Sequence, residues 1–181
     1  MPDDTANQRM HRGCLHVYTG NGKGKTTAAL GLCLRAAGAG FRIYIGQFMK
    51  AGPYSEVEAL KRFSDQVTLE QYGSGRFVRG RPSDEDRQLA RQGFESALAA
   101  LTGGQFQLVI LDESMVALHQ GLISSEQMEQ VIDARPEGVE LVLTGRYAPS
   151  PILDRADLVT EMLARKHYYQ NGVPARVGIE K

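Results

Sequence analysis

The chain has 181 residues, of which 42% are hydrophobic, and this composition suits one domain with a buried core. Lys and Arg number 21 and are balanced by 21 Asp and Glu, so no global positive charge favours nucleic acid as a partner. The four histidines are scattered along the chain, which argues against a zinc site. No apolar run reaches membrane-spanning length, which argues against a membrane span. Cys14 in the first strand and Cys33 in the first helix are expected to be buried in a reducing compartment.

The first residues of the chain are polar and aperiodic. We expect a flexible arm at residues 1–12, a candidate lid, ahead of a single domain at residues 13–181. The start lacks the basic and apolar regions of a signal peptide, so we expect a cytoplasmic protein.

A glycine-rich segment, TGNGKGKTT at residues 19–27, lies between a candidate strand at 15–18 and a helical segment at 27–35. In a phosphate-binding loop, glycines let backbone N–H groups turn inward, Lys brings positive charge and a Thr hydroxyl binds magnesium. The segment fits G-x-x-x-x-G-K-[ST], except that Thr19 stands at the first glycine position. The strand, loop and helix context favours phosphate binding over an ordinary glycine-rich turn.

A second strand is predicted at residues 41–48, after a helix stop at 38–40, and it completes a βαβ unit with parallel strands. Open α/β sheets bind ligands at the carboxyl ends of their strands, so residues 49–54 lie on the predicted ligand edge. A short helix at residues 55–61 and a strand at 67–69 follow.

Residues 71–82 hold four glycines or prolines, three arginines and two aromatic residues, a composition that indicates a functional loop. A solvated arginine-rich surface with one packed Phe is the alternative. Ser83 is expected to cap the next helix, which continues at helical spacing to Gly103 and covers the core.

Residues 108–111 are apolar and predict a buried parallel strand that ends in Asp112 and Glu113. This end lies on the same sheet edge as the glycine-rich loop. The pair resembles a Walker B element, in which an acid completes a magnesium shell opposite the loop's Thr26. Capping acids at a helix N-terminus are the alternative.

The rest of the chain predicts three further helices and two strands. A helical turn is expected at residues 114–119, and a helix with a capping box at 124–134. A strand at 140–144 brings Arg146 to the ligand edge, where it contacts phosphate or ribose or forms a surface ion pair.

Ser150 is expected to cap a short helix that has Pro151 in its first turn. Residues 157–162 predict a last central strand, and His167 is either structural or a ligand contact.

These elements predict a three-layer α/β fold with a mostly parallel central sheet, a RecA-like phosphate-loop domain that binds Mg-nucleotide, with ATP favoured. The residues alone leave the reaction open. A nucleoside or small-molecule kinase would add a lid with catalytic arginines, and a regulatory ATPase would add a water-orienting residue and a partner's arginine.

Five segments resemble the ATP:corrinoid adenosyltransferases of vitamin B12 metabolism, whose substrates include cob(I)alamin and cob(I)yrinic acid a,c-diamide. They are residues 19–29, 45–50, 109–113, 143–146 and 156–162. The similarity covers nearly everything from Gly13 to Glu180. It implies transfer of the 5′-deoxyadenosyl group of ATP to Co(I) of a reduced corrinoid (cobalamin, cobinamide or cobyrinic acid diamide), with release of triphosphate, in adenosylcobalamin synthesis or salvage. Because Co(I) is the nucleophile, no catalytic base is required.

The resemblance also implies a set of site residues and partners. Catalytic roles fall to Lys25, Thr26 and Glu113, and Mg²⁺ or Mn²⁺ binding to Thr26, Glu113 and Asp112. Nucleotide binding falls to Asn21, Gly22, Lys23, Gly24, Lys25, Thr26, Thr27 and Arg146. Corrinoid binding falls to Gln47, Met49, Phe77 and Arg79. The implied assembly is a homodimer, supplied with electrons by a donor such as a reduced flavoprotein, and no nucleic acid or membrane partner is implied.

Arg79 is the point at which the chain departs from the family pattern. The family has Trp at this position, two residues after the Phe matched by Phe77, and the chain contains no Trp. We expect the arginine to pair with a corrinoid carboxylate or amide in place of apolar exclusion.

Overall fold

The computed structural model describes residues 12–76 and 80–181. Most of the predicted arm, together with Phe77 and Arg79, therefore lies outside the described residues. The described part contains six strands: β1 (Leu15–Thr19), β2 (Ile43–Phe48), β3 (Val67–Tyr72), β4 (Leu108–Asp112), β5 (Glu140–Thr144) and β6 (Leu158–Glu161). They form one sheet in the order β3-β2-β4-β5-β1-β6, and all the pairings are parallel.

Helices cover both faces of this sheet. They are α1 (Lys25–Gly38), α2 (Ser55–Leu60), α3 (Asp84–Thr102), α4 (Ser114–His119), α5 (Ser125–Asp133) and α6 (Ser150–Arg155). Helices α1 and α2 pack on one face, and α3 to α6 pack on the other. The predicted three-layer α/β fold is confirmed. None of the helices in the described residues is long and apolar enough to cross a membrane.

Strand β4 shows why its sequence is an unbroken apolar run. Leu108 and Ile110 pack against the α1 side of the sheet, whereas Val109 and Leu111 pack against the α3 side. Successive side chains of a strand point to opposite faces, so a strand covered on both faces needs apolar residues at every position. All four side chains are at most 2% exposed. This burial fixes the strand end at which Asp112 stands.

Two helix starts form as the sequence predicts. Ser83 Oγ accepts a hydrogen bond from Asp86 N at 3.2 Å, and the Asp86 carboxylate accepts one from Ser83 N at 2.9 Å. Ser124 and Gln127 make the same reciprocal pair at the start of α5. Each box satisfies N–H groups that a helix start otherwise leaves without partners.

Three local predictions are wrong. Strand β6 lies at the sheet edge, because within the described residues it pairs with β1 alone, and its four residues are exposed. Ser150 is the first residue of α6, and the cap position belongs to Pro149, which offers no side-chain acceptor. Cys14 precedes β1 and is only half-buried, although Cys33 is buried as expected.

His167 has a structural role in the described structure. Its Nδ1 accepts a hydrogen bond from Tyr169 N at 3.2 Å, at the start of a short 3₁₀ helix, Tyr168–Asn171. The His167 imidazole thereby holds the backbone in place where the C-terminal segment begins.

Gly93 in α3, with Gly31 in α1 as its control, provides a test of packing between α3 and the sheet. A Cβ at Gly93 would lie 2.6 Å from Phe48 Cε1 and 2.9 Å from the ring of Tyr72, whereas one at Gly31 would meet open space. We expect Gly93→Ala to lower the free energy of unfolding by about 1–3 kcal/mol through overpacking. Gly31→Ala should raise it by about 0.5–1 kcal/mol, because Ala favours the helix. Urea unfolding measures both, and equal effects of the same sign would contradict the packing of α3.

Candidate active site

The glycine-rich loop joins the end of β1 to the start of α1. Gly24 occupies the helix cap position at φ 122°, a conformation that favours glycine, and it supplies no side chain to cap the helix. The first turn of α1 also carries no acidic residue. The helix start therefore leaves N–H groups and a positive dipole end without an internal partner, an arrangement suited to an anion.

The loop is held against the chain that follows β6. Gly22 N donates to Met162 O at 2.6 Å, and Met162 N donates to Thr19 O at 2.9 Å. A Cβ at Gly22 would lie 2.7 Å from that same Met162 oxygen. Glycine is therefore needed at this point, because backbone lies against backbone with no room for a side chain.

Lys25 is folded back over the loop. Its Nζ donates to Gly20 O at 2.7 Å and to Gly22 O at 2.8 Å, and the residue is 6% exposed. Burial, with a smaller contribution from the nearby Arg146, lowers the pKa of Lys25. Two carbonyl oxygens solvate the ammonium less well than phosphate oxygens would, so the loop holds a cation suited to an anionic ligand.

Asp112, the last residue of β4, connects four elements of the site. Its Oδ1 accepts hydrogen bonds from Thr26 Oγ1 at 2.8 Å and Thr144 Oγ1 at 2.7 Å. Its Oδ2 accepts from Lys50 Nζ at 2.7 Å and from Gln47 Nε2 at 3.3 Å. With its side chain 2% exposed, this carboxylate is fully occupied and holds the ends of β2, β4 and β5 to the start of α1.

Glu113 follows with a left-handed backbone conformation, at φ 58°. Its N–H donates to Thr144 Oγ1 at 3.0 Å. Burial and then the charge of Asp112 raise the pKa of Glu113, against the opposing effect of neighbouring cations. A half-buried acid in a strained backbone conformation is typical of a functional position.

The donor set fits a magnesium ion bound together with a nucleotide. Thr26 gives its hydroxyl proton to Asp112, which leaves lone pairs on Oγ1 for a cation. Within the described residues, no cluster of three His, Cys, Asp or Glu side chains forms a complete protein metal site. Magnesium commonly takes one or two protein oxygens and completes its shell with phosphates and water, so a complete protein cluster is not needed for a metal bound together with a nucleotide.

Comparisons with known proteins agree on one family. The profile of ATP:corrinoid adenosyltransferase BtuR/CobO/CobP matches residues 11–180. A corrinoid adenosyltransferase of Pseudomonas aeruginosa is 35% identical over 97% of this chain and 87% of its own length. Those of Escherichia coli K12 and Salmonella typhimurium are 33% and 32% identical, over 93% and 97% of this chain and 86% and 89% of theirs.

The chain belongs to the ATP:corrinoid adenosyltransferase family.

Three further predicted nucleotide contacts of this adenosyltransferase family member are solvent-exposed. Asn21 and Thr27 are exposed residues of the glycine-rich segment itself. Arg146 is exposed as well, and its charge contributes to the lowered pKa of Lys25 and opposes the raised pKa of Glu113, so it lies within electrostatic reach of both side chains. A contact of Arg146 with phosphate or ribose stays a prediction.

Lys23 is engaged by the C-terminal segment. Its Nζ contacts Glu180 Oε1 at 2.6 Å, Ile179 O at 2.8 Å and Tyr168 OH at 3.1 Å. Hydrogen bonds from Arg176, Lys23 and Tyr168 hold the pKa of Glu180 well below its usual range. A nucleotide contact by Lys23 therefore competes with a carboxylate of the same chain.

The predicted corrinoid contacts in the described residues are Gln47 and Met49. Gln47 is fully buried, with its amide donating to Asp112 and its Oε1 accepting from Gln71 Nε2 at 2.9 Å. Its observed role is to link β2 to the acid, and contact with a corrinoid stays a prediction. Met49 has φ 58° at the end of β2 and packs partly on the core.

Sequence reasoning missed Lys50, Thr144 and Glu180 as parts of the site. The first two had a signal, because each polar residue closes an apolar strand or stands just beyond its end on the predicted ligand edge. For Glu180 the sequence carried no such signal, because this residue lies 157 residues from Lys23 along the chain.

Glu180→Gln tests whether this carboxylate anchors the C-terminal segment of the adenosyltransferase. We expect hydrogen exchange of backbone amides in residues 176–181 to become about three- to tenfold faster, because the ionic contacts to Lys23 and Arg176 are weakened. Hydrogen-exchange mass spectrometry measures this. Glu58→Gln, which alters an exposed pair with Lys61, is the control. Unchanged exchange in Glu180→Gln would show that apolar contacts hold the segment instead.

Proposed function

We propose that this chain transfers the 5′-deoxyadenosyl group of ATP to the Co(I) centre of a reduced corrinoid in adenosylcobalamin synthesis. The observation that carries the proposal is the family match, which spans the phosphate loop, the acid pair and the C-terminal segment. In this reaction a cobalt–carbon bond forms and the bond between C5′ and its phosphate oxygen breaks. The electron pair of the broken bond leaves on triphosphate.

The residues of the phosphate loop would stabilise that leaving group. A triphosphate bound to the loop would meet the ammonium of Lys25 and the N–H groups at the start of α1, which no side chain caps. Preorganised donors of this kind lower the barrier because they meet charge that develops in the transition state. The proposed task of Lys25 is to exchange two carbonyl partners for phosphate oxygens.

Thr26, Glu113 and Asp112 are proposed to serve a divalent cation, Mg²⁺ or Mn²⁺. Thr26 and Glu113 would ligate it, while Asp112, whose oxygens are already occupied, would orient the Thr26 hydroxyl. When bound, the cation would neutralise charge on the triphosphate. Glu113, whose pKa is raised by burial, would be ionised more readily beside that cation.

The corrinoid side and the assembly rest on the family resemblance. We propose that Met49, Phe77 and Arg79 contact the corrinoid. Gln47 would act on the corrinoid site indirectly, through its hydrogen bond to Asp112 or to Gln71. Arg146 is proposed to contact phosphate or ribose. Residues 13–181 would form one nucleotide-binding domain of a cytoplasmic homodimer, which would receive electrons for cobalt reduction from a donor such as a reduced flavoprotein.

An anaerobic assay tests the proposed reaction. ATP, magnesium and chemically reduced cobalamin or cobinamide are supplied, and formation of the light-sensitive cobalt–carbon bond is followed by absorbance. We expect adenosylated product and free triphosphate in equal amounts. Lack of adenosylated product with both corrinoids would overturn the proposal, and a phosphorylated small molecule made without cobalt would support a kinase instead.

A further inference from the structure

Lys50 is a partly buried cation to which the proposed reaction assigns no role. It lies just beyond the end of β2, and its side chain is 16% exposed. Burial alone would lower the pKa of Lys50, but the charges of Asp112 and its neighbouring carboxylates outweigh burial and raise it. The ammonium is therefore held as a charge inside the site.

The Lys50 ammonium faces the lone pairs of Thr26 Oγ1, to which a metal would bind. Lys50 Nζ lies 2.7 Å from Asp112 Oδ2 and donates to Thr26 Oγ1 at 3.5 Å. The Thr26 proton is directed to Asp112 Oδ1, so the lone pairs of the hydroxyl are what face the ammonium. A divalent cation bound through Thr26 would compete with Lys50 for the same oxygen and would repel its charge.

A second set of partners for the Lys50 ammonium lies nearby. Glu56 Oε1 is 4.0 Å from Lys50 Nζ, and the ring centroid of Tyr54 is 5.5 Å away. Tyr54 directly precedes α2, and Glu56 lies in its first turn. A small movement of the flexible lysine stem would exchange Asp112 for these partners without unfolding the strand end.

We propose that the Lys50 ammonium occupies the cation position of the nucleotide-free site, so that a divalent cation binds there well only when nucleotide binds with it. Without nucleotide, Lys50 holds Asp112, and through it Thr26, in place and keeps free divalent cations from the Thr26 oxygen. On binding of metal and nucleotide together, the ammonium moves toward Glu56. Lys50 is thus a positioning residue. The inference rests on the proposed function only for the use of a divalent cation, and its test involves no corrinoid.

The test measures binding of free Mn²⁺ to the full chain without nucleotide, by electron paramagnetic resonance. Lys50→Met removes the charge and keeps the stem, and we expect it to bind free Mn²⁺ at least about tenfold more tightly than the unmodified chain. Lys50→Arg keeps the charge and should bind as weakly as the unmodified chain. Lys61→Met removes an exposed lysine paired with Glu58 and should change nothing.

The same titration with saturating ATP separates positioning from a general structural role. We expect the Mn²⁺ dissociation constants of Lys50→Met and the unmodified chain to converge when ATP is present, because Lys50 has then moved away. Lys50→Gln keeps a donor for Asp112 and provides the same test if Lys50→Met does not fold. Equal affinity for free Mn²⁺ in the folded variant and the unmodified chain would overturn the inference, whatever the outcome of the adenosyl-transfer assay.

Discussion

Lys25→Ala is expected to lower kcat for adenosyl transfer by at least about 10²–10³-fold, because it removes a preorganised donor from the leaving triphosphate. The Lys25 ammonium contacts the carbonyl oxygens of the loop residues Gly20 and Gly22, and the residue is only 6% exposed. Replacement by alanine leaves the loop backbone in place, since Met162 holds the loop independently through Gly22. Kinetics with chemically reduced cobalamin measure the chemical step apart from cobalt reduction.

Control variants show whether the loss belongs to the site. Lys61→Ala removes an exposed lysine that pairs with Glu58, outside the loop, and should leave the rate unchanged. Far-ultraviolet circular dichroism and thermal unfolding check that Lys25→Ala is folded. A folded Lys25→Ala that keeps more than about a tenth of kcat would contradict the role of Lys25 in stabilising the leaving group.

The meeting of the glycine-rich loop and the acid pair at one sheet edge could be predicted because the signals of both segments are local. The segment at residues 19–27 carries its own strand and helix, and Asp112 directly follows an apolar run. Parallel strands bring their carboxyl ends to one edge, so the two segments had to meet there. The hydrogen bond between Thr26 and Asp112 follows from topology and two short patterns.

Contacts that depend on strand order could not be predicted in the same way. Leu158 and Val159 read as a buried strand, but they are 40% and 45% exposed because β6 lies beyond β1 at the sheet edge. No periodicity specifies which strand is last in a sheet. The contact between Lys23 and Glu180 depends on the path of the whole C-terminal segment over the loop.

The partners of Asp112 show a further limit. The sequence places Lys50 and Thr144 on the ligand edge, but it does not show that one carboxylate accepts hydrogen bonds from both. That outcome depends on the order of β2, β4 and β5 and on the depth of each side chain, which packing decides. A polar residue at the end of an apolar strand was the only available signal.

Asp112→Asn is expected to lower the free energy of unfolding by about 3–5 kcal/mol, because it breaks a buried ion pair and leaves one partner without its counter-charge. Asp112 is 1% exposed, and the Lys50 ammonium that it holds is 2.7 Å away. An amide can accept at only one of its two ends, so it cannot replace the four hydrogen bonds of the carboxylate. Urea unfolding without nucleotide or metal measures the loss. Asp133→Asn, in an exposed pair with Arg155, is the control and should cost only about 0–1 kcal/mol.

A double-mutant cycle identifies the source of that loss. If it arises mainly from an unpaired Lys50 ammonium, Lys50→Met should recover part of the stability in the Asp112→Asn background, with a coupling energy of about 0.5–3 kcal/mol. If it arises from the hydroxyl partners Thr26 and Thr144 instead, the two substitutions should be additive. Additivity would mean that Lys50 and Asp112 contribute to stability independently of each other, in spite of the 2.7 Å contact between them. The sign and size of the coupling therefore measure how far the nucleotide-free site depends on this one ion pair.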